Sequence, residues 1–253
     1  GKQRLPIETS KLKVWAYEDI DFSESGSPDI SETRTALGDD KVYIYFTSGS
    51  TGVPKAIVGK NESLHHFINW EVSTFALDSQ TKVSQFMSPG FDAFLRDVFP
   101  VLSVGGTICI PDFEIESSSQ LLHWIGDSEI SLIHCVPSFF KLLVSSDLKE
   151  NHFQNLKYIL LSGEKVNTKD LSNWYKTVGD KVQLVNLYGA TETTMIKTYY
   201  FIKPEDANKL SIPIGKPIPG TQLFLLDEAL KPVAKNSIGE IYIRTKYGTH
   251  GYY

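Results

Sequence analysis

The stretch Tyr43-Ile44-Tyr45-Phe46-Thr47-Ser48-Gly49-Ser50-Thr51-Gly52-Val53-Pro54-Lys55 sets the reading of the whole chain. Its four apolar and aromatic residues predict a buried strand. A turn rich in glycine and hydroxyls follows and ends on a lysine. Glycine lets backbone approach a ligand closely and aim several N–H groups at one point. Thr47, Ser48, Ser50 and Thr51 add hydroxyl donors, Gly49 and Gly52 supply the freedom, and Lys55 supplies positive charge. Such a loop suits a polyphosphate. It departs from the Walker spacing, in which the lysine opens a helix. Here Pro54 pushes Val53 toward extended backbone, which predicts a loop that is not wrapped on a helix end.

Outward from this loop, apolar runs and helical faces alternate. Leu64, Phe67, Ile68, Val72 and Phe75 fall on one helical face. Strands are expected near 83–86, 107–110, 132–135, 158–161 and 182–185, and helices over 94–102, around 121–125, over 139–144 and over 170–176. Repeated βα units of this length predict an α/β fold with a mostly parallel sheet and flanking helices. Ligands then belong at the carboxyl ends of the strands. From Ile212 the pattern changes to Pro213, Pro217, Pro219 and Gly220, followed by strand-like runs over 222–226 and 239–244. That predicts part of a small antiparallel β-unit. The expected organisation is an N-terminal strand (12–16) and polar linker over 1–40, an ATP- and substrate-binding α/β subdomain over 41–211, and part of a β-rich subdomain over 212–253.

Composition narrows the classes. The chain has 253 residues, 41% hydrophobic and 22% charged, which is ordinary globular composition. A net charge of −5 argues against a nucleic-acid partner. No apolar run reaches membrane-spanning length, so no membrane partner is expected. Cys109 and Cys135 sit in apolar runs and read as free buried thiols of a cytoplasmic protein. The pair His65-His66 fails as a metal site, because helix neighbours point to different faces.

Several further stretches carry chemistry. Asn186-Leu187-Tyr188-Gly189-Ala190-Thr191-Glu192-Thr193-Thr194 follows a predicted strand end. Aromatic rings stack on purines, amides pair with an adenine edge, and carboxylates hold Mg²⁺. Leu161-Ser162-Gly163-Glu164-Lys165 sits past another strand; alone it is an ordinary turn. Phe91-Asp92 precedes a helix. Asp92 is either that helix's cap or a buried carboxylate awaiting a cation. Gly239-Glu240-Ile241-Tyr242-Ile243, Gly251-Tyr252 and Ile214-Gly215-Lys216-Pro217 complete the set.

Together these motifs resemble the adenylate-forming superfamily, which includes nonribosomal peptide synthetase adenylation domains, acyl-CoA ligases and luciferases. The phosphate loop resembles [ST]-[ST]-G-[ST]-T-G-x-P-K-G, departing only at Ala56. The second motif is similar to N-x-Y-G-P-T-E-T, with Ala190 in place of proline. The usual A-R before the closing Gly-Tyr is replaced by Thr249-His250. The resemblance implies that residues 47–52 and Lys55 cradle ATP phosphates, with Asn186 at the adenine amino group and Tyr188 stacked on the ring. Gly163, Glu164 and Gly189 would line the nucleotide pocket. Thr191 would contact phosphate, and Glu192 would ligate Mg²⁺. Lys55, Thr191 and Glu192 are the expected catalytic groups.

Amino-acid-activating members carry an aspartate at the position of Asp92, paired with the substrate ammonium. Carried over residue by residue, the substrate pocket comprises Phe91, Asp92, Ala93, Arg96, His134, Leu160, Ser162, Leu187, Met195 and Ile196. His134 and Ser162 suggest a polar α-amino acid, with serine the lead. Arg96 is discordant: it would favour an acidic side chain or face away. His134 reads equally as a core histidine. The implied activity is ATP-dependent formation of an aminoacyl-AMP for a peptidyl carrier protein, in company with neighbouring synthetase domains. The alternatives are an acyl- or aryl-CoA ligase, or a nucleotide-binding piece. The family's preceding α/β segment, its ribose-binding Y-R-T-G-D motif and its C-terminal lid with a catalytic lysine have no counterpart in these 253 residues. The resemblance therefore implies an interior fragment of an adenylation domain, inactive without its lid.

Overall fold

Period-two alternation along the central strands splits the core into two layers. In β5 (Leu132–Cys135), Ile133 and Cys135 face one cluster, while Leu132 faces the other. In β6 (Tyr158–Leu161), Ile159 and Leu161 join the first cluster and Leu160 the second. Strands buried on both faces need helices above and below. The computed structural model describes residues 36–47, 53–112, 117–146 and 148–253, with the side chains of Glu150 and Asn151 outside the description. The expected strand over 12–16, its linker and loop residues Ser48–Gly52 lie outside the described residues.

The described elements begin with β1 (Lys41–Thr47) and β2 (Lys55–Lys60), then α1 (Asn61–Phe75), β3 (Lys82–Ser84), α2 (Phe94–Ser103) and β4 (Thr107–Cys109). It continues with α3 (Ser118–Asp127), β5, α4 (Pro137–Val144), β6, α5 (Thr168–Thr177) and β7 (Gln183–Tyr188). The last elements are β8 (Thr198–Phe201), β9 (Lys216–Pro217), β10 (Thr221–Leu226), β11 (Glu240–Thr245) and β12 (Gly251–Tyr252). A seven-stranded sheet runs β4-β3-β5-β6-β7-β8-β9. Its first five positions are parallel, and β8 and β9 add antiparallel at one edge. The expected mostly parallel α/β sheet is therefore present. Residues from α3, α4 and α5 fill one layer, around Trp174, Phe140 and Leu121. Residues from α1 and α2 fill the other, around Phe67, Trp70 and Val101.

Three expectations change. Residues 43–46 were read as a buried strand, but β1 belongs to a small sheet, β1-β2-β12. Ile44 is 52% and Phe46 64% exposed, while Tyr43 and Tyr45 turn inward against α1's layer. An antiparallel strand packed on one side shows the chain's alternation, not a fully buried run. The phosphate loop thus joins two antiparallel strands, with Thr47 paired to Lys55. The motif at 186–194 was expected wholly beyond a strand, yet β7 runs on to Tyr188 because β8 returns beside it. Residues beyond 212 do not all stand apart. β10 and β11 pair as the anticipated antiparallel unit, whereas β9 joins the main sheet and β12 joins β2.

Candidate active-site cleft

A cleft of about 520 Å³ opens at the carboxyl ends of β6 and β7, facing the start of α2. Asp92, Ala93 and Arg96 line it from the α2 side, and Ser162, Gly163 and Glu164 from the β6 side. Asn186, Leu187, Tyr188, Gly189 and Thr191 come from β7 and its turn, with Met195 and Ile196 behind them. The wall also holds Lys165, Ala190 and Ile214, motif members given no site role, and Val166 and Ile212, which lie outside the motifs.

The residues at the ends of β6 and β7 are held by local bonds. Asn186 is buried, and its amide donates to the Pro213 carbonyl at 2.9 Å, leaving its oxygen free to accept. Tyr188 is exposed, with its ring open to the cleft. Gly163 adopts φ +88°, a conformation glycine takes without Cβ strain. Glu164 turns away to accept from the Ser138 N–H at 2.9 Å and the Ser138 hydroxyl at 3.0 Å, tying β6 to the first turn of α4. Gly189 is a packing requirement: a Cβ there would sit 1.9 Å from the Met195 carbonyl oxygen. That closeness accompanies positive φ at Thr194 (63°) and Met195 (59°), sparsely populated backbone that places Met195 and Ile196 on the wall.

Lys55 and Glu192, far apart in sequence, meet across Tyr252. The Lys55 ammonium lies 5.2 Å from the Tyr252 ring centroid, and the Tyr252 hydroxyl donates to Glu192 Oε1 at 2.8 Å. Thr249 anchors the same turn by donating through N–H and hydroxyl to the Glu192 carbonyl. Position in the motif gave Tyr252 no chemical role; pairing of β12 with β2 creates it.

Asp92 does not cap α2. The capping position is Ala93, and no side chain bonds the helix start. Burial pushes the Asp92 carboxyl up, against the Thr191 hydroxyl, the Ala93 N–H and the Arg96 charge, which favour ionisation. A half-buried carboxylate on a cleft wall is a site for a cation.

Beneath the wall lies a buried charge cluster. His134 Nδ1 is 2.9 Å from Asp97 Oδ1, and its Nε2 is 3.0 Å from Glu71 Oε1. Arg96 Nε donates to Glu71 Oε2 at 3.5 Å and Nη1 to Ser162 Oγ at 2.9 Å. Asp97 Oδ2 accepts from the Phe86 and Met87 N–H groups. Burial alone would lower the His134 pKa, but the Glu71 charge and the bonds to both carboxylates raise it overall. Burial would raise Glu71, but His134 and Arg96 hold it below its ordinary value. His134 therefore sits in the layer between sheet and α1, away from the cleft wall. Leu160 is buried beside it in the core, and Phe91 is exposed outside the cleft. Glu71 was legible as a charged residue four places from both Phe67 and Phe75, inside α1's apolar stripe.

Cys109 and Cys135 are free thiols, Cys135 buried as expected and Cys109 only half-buried, and His66 stacks on Tyr247 at 3.6 Å. Among the described residues no helix is long and apolar enough to cross a membrane, and no group of three or more metal-ligating side chains occurs.

Comparison with known proteins agrees with this geometry. The family profile described as AMP-binding enzyme matches residues 3–253. Syringomycin synthase SyrB1 of Pseudomonas syringae pv. syringae is 30% identical over 246 residues, 96% of this chain and 40% of its own. Tyrocidine synthase 3 of Brevibacillus parabrevis is 31% identical over 240 residues, 95% of this chain and 4% of its own. The chain thus spans two fifths or less of these relatives. PA1221, a nonribosomal peptide synthetase protein with adenylation and PCP domains, superposes with a TM-score of 0.77 at 27% identity, over 87% of this chain and 44% of that one. The chain belongs to the AMP-binding enzyme family, and its likeness lies with the adenylation domains of nonribosomal peptide synthetases.

Proposed function

We propose that this chain provides the ATP- and substrate-binding part of an enzyme that activates an α-amino acid. An oxygen of the amino-acid carboxylate attacks the α-phosphorus of ATP. The bond from that phosphorus to the bridging oxygen breaks, and its electron pair leaves with pyrophosphate. The thiol of a peptidyl carrier protein then attacks the acyl carbon of the aminoacyl-AMP, forming a thioester as the bond to the AMP oxygen breaks and AMP leaves with its electron pair, within a synthetase whose neighbouring domains and C-terminal lid complete the cycle. In this division of labour residues 41–211 carry the binding groups, and residues 212–253 belong to a smaller β-rich part. A soluble, cytoplasmic setting accords with the free thiols.

The single observation that carries the proposal is Asp92: half-buried, not the capping residue of α2, and on the same cleft wall as Tyr188 and Thr191. It supports an ammonium-bearing substrate over a fatty acid, which would leave that carboxylate unanswered. Asn186 offers an amide oxygen to the adenine amino group, and Tyr188 offers a ring face. Lys55 and Thr47, paired across β1 and β2, put a cation and a hydroxyl beside the phosphate loop.

Glu192 fits Mg²⁺: an ion that keeps several waters and shares phosphate oxygens needs only one or two carboxylates from the protein. When bound, the ion would neutralise phosphate charge. The Tyr252 hydroxyl holds Glu192 in place for it. Amino-acid-dependent ATP–pyrophosphate exchange by the full-length protein tests the proposal. Exchange driven by a fatty or aryl acid, with no response to amino acids, overturns it in favour of an acyl- or aryl-CoA ligase.

A further inference from the structure

Arg96 looks from sequence like a cation awaiting an acid. Its surroundings say otherwise. Glu71 lies 3.5 Å from its Nε, and His134 lies between Glu71 and Asp97. Arg96 and His134, which holds its proton more tightly than an ordinary histidine, face the buried Glu71 and Asp97, and the Arg96 charge also reaches the half-buried Asp92 on the cleft wall. Arg96 is 1% exposed, yet it reaches the cleft wall, and its Nη2 is buried without a hydrogen-bond partner. Beside it, Ser162 Oγ accepts from Nη1 and keeps its own proton available to donate. The pocket end therefore lacks an acceptor oxygen and does not lack a negative charge. Leu187, Met195 and Ile196 on the adjoining wall are apolar and offer no competing acceptor. The other cation on the wall, Lys165, is exposed at its rim.

We propose that the far end of the substrate pocket takes a neutral side chain bearing an acceptor oxygen, a carboxamide or a hydroxyl, held by Arg96 Nη2 and Ser162. Glu71, which does not line the cleft, makes that choice by cancelling the guanidinium charge. This assignment rests on the amino-acid activation proposed above. A hydrocarbon side chain would leave the Nη2 donor buried and unpaired. An acidic one would add a further carboxylate beside Glu71, Asp97 and Asp92, at a desolvation cost nothing repays. His134, clamped by two carboxylates, plays no direct part, so recognition falls to Arg96 and Ser162.

The test is kinetic, on the full-length protein, with near-isosteric sets in the exchange assay. The sets are asparagine, aspartate and leucine; glutamine, glutamate and methionine; threonine and valine. The best substrate is expected to be a neutral acceptor, exceeding its hydrocarbon and acid counterparts in kcat/KM by roughly 100-fold or more, since a site built to bond a polar group rejects analogues lacking it. Glu71→Gln keeps shape but releases the guanidinium charge. It is expected to raise the acid-to-amide selectivity ratio by about tenfold or more, the scale of one strengthened charge-assisted bond. A merely structural role for Glu71 would lower all substrates together and leave the ratio unmoved, which would overturn the assignment. A hydrocarbon or an acid as best wild-type substrate would overturn it as well, without any variant. Absence of exchange with every amino acid would instead overturn the adenylating function itself.

Discussion

His134→Leu should expose how much of this fold depends on the buried charge cluster. The substitution keeps roughly the same volume and removes the cation between Glu71 and Asp97, whose carboxylates lie 3.0 and 2.9 Å from its ring nitrogens. Breaking one partner of a buried ion pair costs about 3–5 kcal/mol, because the remaining charge stays buried without compensation. For a chain of this size each kcal/mol moves Tm by about 2–4 °C, so the expected loss is roughly 6–20 °C. The sign of the pH dependence follows from His134 binding its proton more tightly when folded. That stabilisation is complete below the ordinary histidine value of 6.5 and is lost as pH rises through the raised folded value. Glu71, depressed when folded, contributes above its ordinary 4.5 and loses its contribution as pH falls through the lower folded value. Calorimetry of wild type and variant from pH 5 to 9 should therefore show the widest Tm gap on the acid side of this range and a narrowing gap above it. A gap under about 2 °C at pH 6, or one that widens steadily with pH, would refute a charged His134 bridging two carboxylates.

Four further outcomes are expected. Glu192→Gln should weaken Mg·ATP use, read as a shift of the magnesium titration of pyrophosphate exchange to higher concentration; unchanged activity at every magnesium level would remove Glu192 from the site. Asp92→Asn should abolish amino-acid-dependent exchange yet raise the Tm of the free protein near neutral pH. Burial raises its folded pKa, so the ionised carboxylate opposes folding as pH climbs above its ordinary 3.8. Gly189→Ala should cost about 3 kcal/mol or more, because the new Cβ meets the rigid Met195 carbonyl at 1.9 Å; a wild-type thermal melt would contradict that contact. Lys197→Met should stabilise the protein near pH 7: burial lowers the Lys197 pKa from 10.5 to about 7, so wild-type stability climbs between those values, and the variant should lack that climb in urea titrations at pH 7 and 10.

Residue order alone discloses the alternation of strands and helices, the family, and most of the cleft wall. Those features are local. Short apolar-rich runs such as Leu132–Cys135 and Tyr158–Leu161 mark strands, although 43–46 shows that such a run is not always buried on both faces, and Pro137 at the start of α4 sets a helix boundary through its own ring. Asn186, Tyr188, Gly189 and Thr191 keep their order and spacing, so the turn that carries them was legible as one piece. Tertiary structure alone decided which charges meet. Glu71, Arg96 and His134 sit on three different elements, and nothing in their spacing says that a carboxylate from α1 will neutralise the arginine on the substrate wall. Nor could residue order show that β12 returns to β2 and carries Tyr252 between Lys55 and Glu192. The physical reason is range: propensity and periodicity act within a few residues, whereas the energy of a charge depends on what else is buried within a few ångströms of it.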